Sequence, residues 1–240
     1  MGQGIQQPPV EQGGASSAFL DVFKVLFDPA AVFERVRARP SFLVPFLTII
    51  AVQCVLFFVN LPYLEVAVKA QMATAAAGRP APSTGVLVAF GLVGLIIVMG
   101  LILALSGLIL WVMTSVIGGG GEAKYSTLLS VAVYSAVPSV IVLSLVGTVV
   151  LHMQGTSGLT SPQDMQPALG LDLLMPGAKG FLGAVLKAIN PFSIWGVVLT
   201  AIGVTTTQRT SKGTGYTIAI ISFVIGLLIA GGFGALGGGR

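Results

Sequence analysis

From Gly85 to Ile117 the chain reads GVLVAFGLVGLIIVMGLILALSGLILWVMTSVI, thirty-three residues without a charge. A helix crossing a hydrocarbon core of roughly 30 Å needs about 20 apolar residues, so this stretch predicts a transmembrane helix. Fourteen of the 21 residues from Leu92 to Val112 are Leu, Ile or Val. On an insertion scale they contribute about −4 to −8 kcal/mol, and nothing charged opposes them. A hairpin of two spans would leave about 16 residues per arm and would have to turn at Ser106-Gly107, without Pro, Asn or Asp. One long helix, tilted or kinked, is expected instead.

The rest of the chain has the same character. Only 20 of 240 residues are charged and the mean hydropathy is +0.97, against about 25% charged residues in soluble domains. The expected fold class is all-α: a polytopic membrane helix bundle of five transmembrane helices preceded by an amphipathic interfacial helix. The net charge of +4 is spread thinly and forms no basic stripe, so no nucleic-acid partner is expected. The one cysteine, Cys54, lies in an apolar segment and has no second thiol to pair with.

Residues 1–18 form a polar tail with neither a basic start nor the apolar core of a cleaved signal, which leaves targeting to the first span. Met1-Gly2 lacks the Ser or Thr that myristoylation requires, having Gln6 there. Residues 19–40 read as an amphipathic juxtamembrane segment. Asp21, Lys24 and Asp28 fall on one narrow stripe opposite Phe19, Leu20, Phe23, Leu26 and Phe27, the pattern of a helix lying in the membrane interface. Asp28 then precedes Pro29 as a cap and first-turn pair for a second short helix bearing Val32, Phe33 and Val36. Arg35, Arg37 and Arg39 follow. The segment serves as an anchor, or as a docking surface for lipid or a partner.

Hydropathy places spans at about 42–61, 85–117, 127–151, 192–206 and 216–233. A mixed loop with Glu65, Lys69 and Arg79 follows the first. The GGGGEAKYS loop after the second departs from a phosphate-binding loop at Ala123 and Tyr125. Pro138 predicts a kink in the third. A polar connection runs from His152 to Gly180, and a short helix from Phe181 to Ile189 lies at the interface or dips in. Asn190-Pro191 breaks the chain into the fourth span. Lys24, Arg35, Arg37, Arg39, Lys124, Arg209 and Lys212 fall on one side and Lys69, Arg79, Lys179, Lys187 and Arg240 on the other. The cluster at 35–39 beside the first span predicts a cytoplasmic N-terminus and an outside C-terminus.

No Asp, Glu, Lys, Arg or His falls inside these spans, which argues against proton relays, ion-coupled transport and intramembrane catalysis. The lone His152 stands at a span end and reads as interfacial, so neither metal nor cofactor is expected. No catalytic motif or carboxylate pair occurs, and no enzyme is predicted. Ser222, Gly226, Ala230 and Gly234 recur every four residues, and Gly100 with Ala104 does likewise. Such spacing lets helices approach closely, within the bundle or along a seam of self-association.

Three stretches together resemble the Yip family, the Yip-one domain of membrane proteins that interact with Ypt and Rab GTPases. They are FDPAAVF with Asp28, Pro29 and Phe33, followed by Pro40 and Pro45; Gly118-Gly119 with Tyr125, then YSAVP from Tyr134 to Pro138; and NPFSIWGVVLTAIG, with Asn190, Pro191, Trp195 and Gly203. The resemblance covers nearly everything after the polar tail, with residues 41–236 as its five-span membrane domain, and implies a cytoplasmic N-terminus. It also implies a non-enzymatic adaptor, acting in eukaryotic members between endoplasmic reticulum and Golgi. With only about 40 residues before its first span, the chain is similar to the bacterial branch. The expectation is then an inner-membrane adaptor or organiser with lipid, an unidentified protein or its own copies as partners. The GTPase-binding role does not carry over. A translocator of lipid or a small neutral solute is the alternative, because breaks at Pro138 and Asn190-Pro191 are features of transport sites.

Overall fold

The computed structural model describes residues 15–75, 81–118 and 123–237. Most of the polar tail, Arg79, Gly119 with the rest of its glycine run, and Arg240 lie outside them. Among the described residues every long element is a helix and no strand occurs. Four helical stretches are long and apolar enough to cross a membrane, or five if one bent pair is a single span.

Two short helices come first, α1 (Ala15–Lys24) and α2 (Pro29–Ala38). Asp28 caps α2, its carboxylate accepting from the Ala31 amide, and Pro29 occupies the first turn where its missing N–H costs nothing. α3 (Leu43–Ala75) carries the first expected span but runs on through Pro62, so Glu65 and Lys69 stand on a helix rather than in a loop. Its extra turns are rich in Ala and other good helix formers, and polar residues are no obstacle to helix outside the hydrocarbon.

α4 (Thr84–Ile117) is the charge-free run as one uninterrupted helix. It sits at the periphery and is the least buried of the spans. A helix apolar all round needs no inner face when its solvent is lipid.

The centre belongs to the third span. α5 (Tyr125–Ser135) and α6 (Leu143–Gln154) are joined by a π-helical turn at Pro138–Val142, and together they form the most buried span. The kink expected at Pro138 takes this form: a wide turn, with the Leu143 amide reaching back to the Pro138 carbonyl, that keeps the span continuous. Leu128, Val131, Val133, Tyr134, Val137 and Ile141 are among its buried side chains.

α7 (Gly180–Ala188) and α8 (Pro191–Gln208) form a pair bent by 63° at Ile189-Asn190. α9 (Lys212–Gly237) packs along both. The fourth expected span, 192–206, is only fifteen residues; α8 is eighteen, and α7 precedes it as the other arm of a bent pair, a broken span or a re-entrant loop. α8 also packs on α5 and α2, antiparallel to α5, with Gly196 beside Ser135 and Gly203 beside Val131. One end of the bundle therefore carries the α1–α2 hairpin, and the opposite end carries the loop 155–179.

Candidate functional site

Two places concentrate the residues singled out in the sequence. The first is the seat of the α1–α2 hairpin. Phe33 is fully buried and meets the Tyr134 ring edge-on, centroids 6.5 Å apart. The Tyr134 hydroxyl, 2% of that residue being exposed, donates to the Ala18 carbonyl at 3.4 Å. Gly203 faces the same point from α8. A Cβ there would come within 2.6 Å of Val131 and 3.0 Å of the Phe33 ring, so only glycine admits this approach. Phe33, Tyr134 and Gly203, far apart in sequence, thus meet at one contact.

The polarity of α1 differs from its sequence pattern. Asp21 does not join a solvent-facing stripe with Lys24; it is buried and paired with Arg35 of α2. Once that pair satisfies the carboxylate, Val22 and Val25 set the inner face, and both are fully buried. Phe19, Leu20, Phe23 and Phe27 are left facing outward, with Phe19 and Phe23 in edge contact. The hydrogen bond to Asp21 and its negative charge raise the Arg35 pKa further above its already high ordinary value, although partial burial works the other way. Arg37 pairs along α2 with Glu34.

The second place is the α7–α8 elbow. A break within a bilayer exposes the last carbonyls of one helix and the first amides of the next. Asn190 satisfies both sets. Its Oδ1 accepts from the Ser193 amide at 2.9 Å, its own amide donates to Ser193 Oγ at 3.0 Å, and its Nδ2 donates to the Lys187 carbonyl at 3.1 Å. The far loop completes the seal: the Leu171 amide donates to the Ile189 carbonyl at 3.0 Å. Gly170 lies so close to the carbonyls of Leu186, Lys187 and Ile189 that a Cβ would come within 2.6 to 3.1 Å of them. Pro191 and Trp195 face outward on the first turns of α8.

Cavities of about 540 and 650 Å³ flank the elbow, and Leu143, Gln166, Lys187 and Asn190 line both. The smaller is bordered by uncharged polar side chains that the sequence showed only as interruptions of apolar runs. Gln53 of α3 donates to the Val140 carbonyl inside the π turn at 2.6 Å and to Ser144 Oγ at 3.1 Å. Asn60 donates to Thr148 Oγ1 at 2.9 Å, and its carbonyl lies 3.3 Å from His152 Nε2. A seven-residue spacing, Gln53 to Asn60, matched against Ser144 and Thr148 is the signal that would have found this ladder.

Of the small residues on α9, Gly234 packs against Gly180 and Ala184 of α7, while Ser222 and Gly226 line the larger cavity. Gly118 ends α4 with its amide on the Thr114 carbonyl at 2.8 Å. No cluster of three or more His, Cys, Asp or Glu able to hold a metal occurs among the described residues.

The family model described as the Yip1 domain matches residues 23–233, from the end of α1 to the last turns of α9. The chain is similar to membrane protein YknW of Bacillus subtilis (strain 168), with 30% identity over 222 residues that make up 90% of each chain. No solved structure matches significantly. The match spans α2, the central π turn and the bent α7–α8 pair together, and the chain belongs to the Yip1 domain family of membrane proteins.

Proposed function

We propose that this protein is a non-enzymatic adaptor or organiser of the bacterial inner membrane. It presents the α1–α2 hairpin to a protein partner at the cytoplasmic surface, with the N-terminus inside and the C-terminus outside. The observation that carries this reading is the hairpin's double character. The Asp21–Arg35 pair ties α1 to α2 and the Phe33–Tyr134–Gly203 contact fixes the hairpin to the bundle, yet Phe19, Leu20, Phe23 and Phe27 remain uncovered. Aromatic side chains held rigidly in the open bind at low entropic cost. Arg35, Arg37 and Arg39 beside the first span support the orientation.

A photoreactive residue at Phe23, activated in native membranes and followed by mass spectrometry, tests the adaptor role. A discrete protein adduct, the chain's own copy included, is expected. Lipid adducts alone would reduce the hairpin to an anchor and overturn the reading.

The two cavities meeting at the elbow favour a second reading, translocation of lipid or a small neutral solute. Proteoliposomes carrying the protein decide it, since flux no faster than in empty vesicles removes it.

A further inference from the structure

The larger cavity has a chemical gradient along its length. At the elbow end stand Lys187 and Gln166. Among the described residues no carboxylate pairs with Lys187, and the Gln166 side chain makes no hydrogen bond. Asp172, which lines the smaller cavity together with Lys187, is buried and accepts from the Gly170 amide at 2.9 Å. Further along are two hydroxyls, Ser135 of α5 and Ser222 of α9. Both Oγ atoms are buried without a partner, and Ser135 is only 4% exposed as a residue. A serine in a helix ordinarily bonds its own preceding turn, as Ser130 does to Ser126 at 2.8 Å. Ser135 and Ser222 forgo that bond and line the cavity. The remaining wall is mostly apolar, with Leu103, Leu110, Val197 and Ala219 among its residues, interrupted by Ser106, Ser139 and Thr200.

We propose that this cleft is a binding site for one anionic glycerophospholipid of the surrounding bilayer. Its phosphate sits at Lys187 and Gln166, one acyl chain follows the mostly apolar wall, and Ser135 and Ser222 turn their now enclosed hydroxyls toward the cleft to donate to its ester carbonyls. The positive end calls for an anion, the two orphaned hydroxyls call for acceptors within two or three helical turns of it, and the far end calls for hydrocarbon. Access is from the side. Ile102 and Gly226 line the cleft yet are exposed, and a Cβ at Gly226 would meet nothing within 4 Å. The second acyl chain leaves through that gap into the bilayer. The site requires neither transport nor a protein partner, so it stands or falls apart from both readings above.

The test is native mass spectrometry of the full chain in detergent micelles, titrated in parallel with phosphatidylglycerol and phosphatidylcholine of identical acyl chains. One phosphatidylglycerol per chain is expected, retained several-fold over phosphatidylcholine. Lys187→Gln, a change at an exposed side chain, abolishes the preference while leaving helix content and elution volume unchanged. Gly226→Trp closes the gap and lowers both adducts together. Should that variant fail to fold, brominated phosphatidylglycerol replaces it as the probe, with Phe223→Trp as the reporter in a chain carrying Trp111→Phe and Trp195→Phe; quenching that is lost with Lys187→Gln supports the site, and quenching unchanged by it counts against the site. Equal retention of the two lipids by the unaltered chain, or an undiminished preference in Lys187→Gln, overturns the proposal.

Discussion

Arg35 donates two hydrogen bonds to Asp21 across fourteen residues of chain, from Nε at 2.9 Å and from Nη2 at 2.6 Å. The two partners are unequal: the Asp21 side chain is 7% exposed and that of Arg35 45%. The pair's role is to let a carboxylate enter the bundle so that Val22 and Val25 can follow. Removing the guanidinium leaves a buried charge unmatched, whereas removing both groups leaves only an imperfect fit.

Arg35→Gln is therefore expected to cost about 1–3 kcal/mol of hairpin docking. Asp21→Asn combined with Arg35→Gln should cost less than Arg35→Gln alone. Limited proteolysis between α1 and α3, on purified protein in mild detergent, reads the release of the hairpin directly.

At Gly203 the added methyl collides with Val131 and Phe33. Gly203→Ala should lose about 1–3 kcal/mol to overpacking, less up to about 1 kcal/mol regained in helix propensity. Val131→Ala in the same chain should restore part of the loss, since the two side chains share the space. Thermal unfolding of the single and double variants measures both.

Much of this architecture is legible in the sequence because lipid simplifies the problem. Every apolar run of sufficient length becomes a helix, and α4 follows from its residues alone. The docked hairpin is another matter. The stripe of Asp21, Lys24 and Asp28 is real as a periodicity, but its meaning depended on Arg35, a partner supplied by a different helix. The end of α3 was hidden because hydropathy reports where hydrocarbon stops, and a helix can continue past that point. Phe33, Tyr134 and Gly203 were recognisable as motif residues, while their meeting is a property of how α2, α5 and α8 cross.

Asn190 serves two helices at once, and its replacement should cost more than that of an ordinary cap. Asn190→Ala loses the acceptor for Ser193 and the donor to Lys187, for an expected loss at or above the upper end of about 0.5–2 kcal/mol. Asn190→Ser keeps a capping oxygen without the bridge to α7 and should fall between. The melting temperatures of the three proteins in one detergent rank them.

In the loop, Asp164 accepts from the hydroxyl and amide of Thr160 at 2.7 and 2.9 Å, and from the amide and hydroxyl of Ser161 at 2.8 and 3.1 Å. These bonds, that from the Thr160 hydroxyl foremost, hold its carboxyl below the ordinary range. A depressed carboxyl stabilises fully above its unfolded value, about 3.9, and ceases to as pH falls through the lower folded one. Asp164→Asn should loosen the loop at pH 7 and make no difference in strong acid. A carbon-detected titration of Asp164 supplies the midpoint.

The loop that holds Asp164 also holds Gly170 and Leu171, which reach down to the carbonyls of the α7–α8 elbow. The water-exposed end of the protein is thereby geared to its interior. Withdrawing Gly170 and Leu171 would leave the Ile189 carbonyl without the amide it now accepts from, so residues 155–179 cannot rearrange at that point without changing how the elbow's backbone is satisfied.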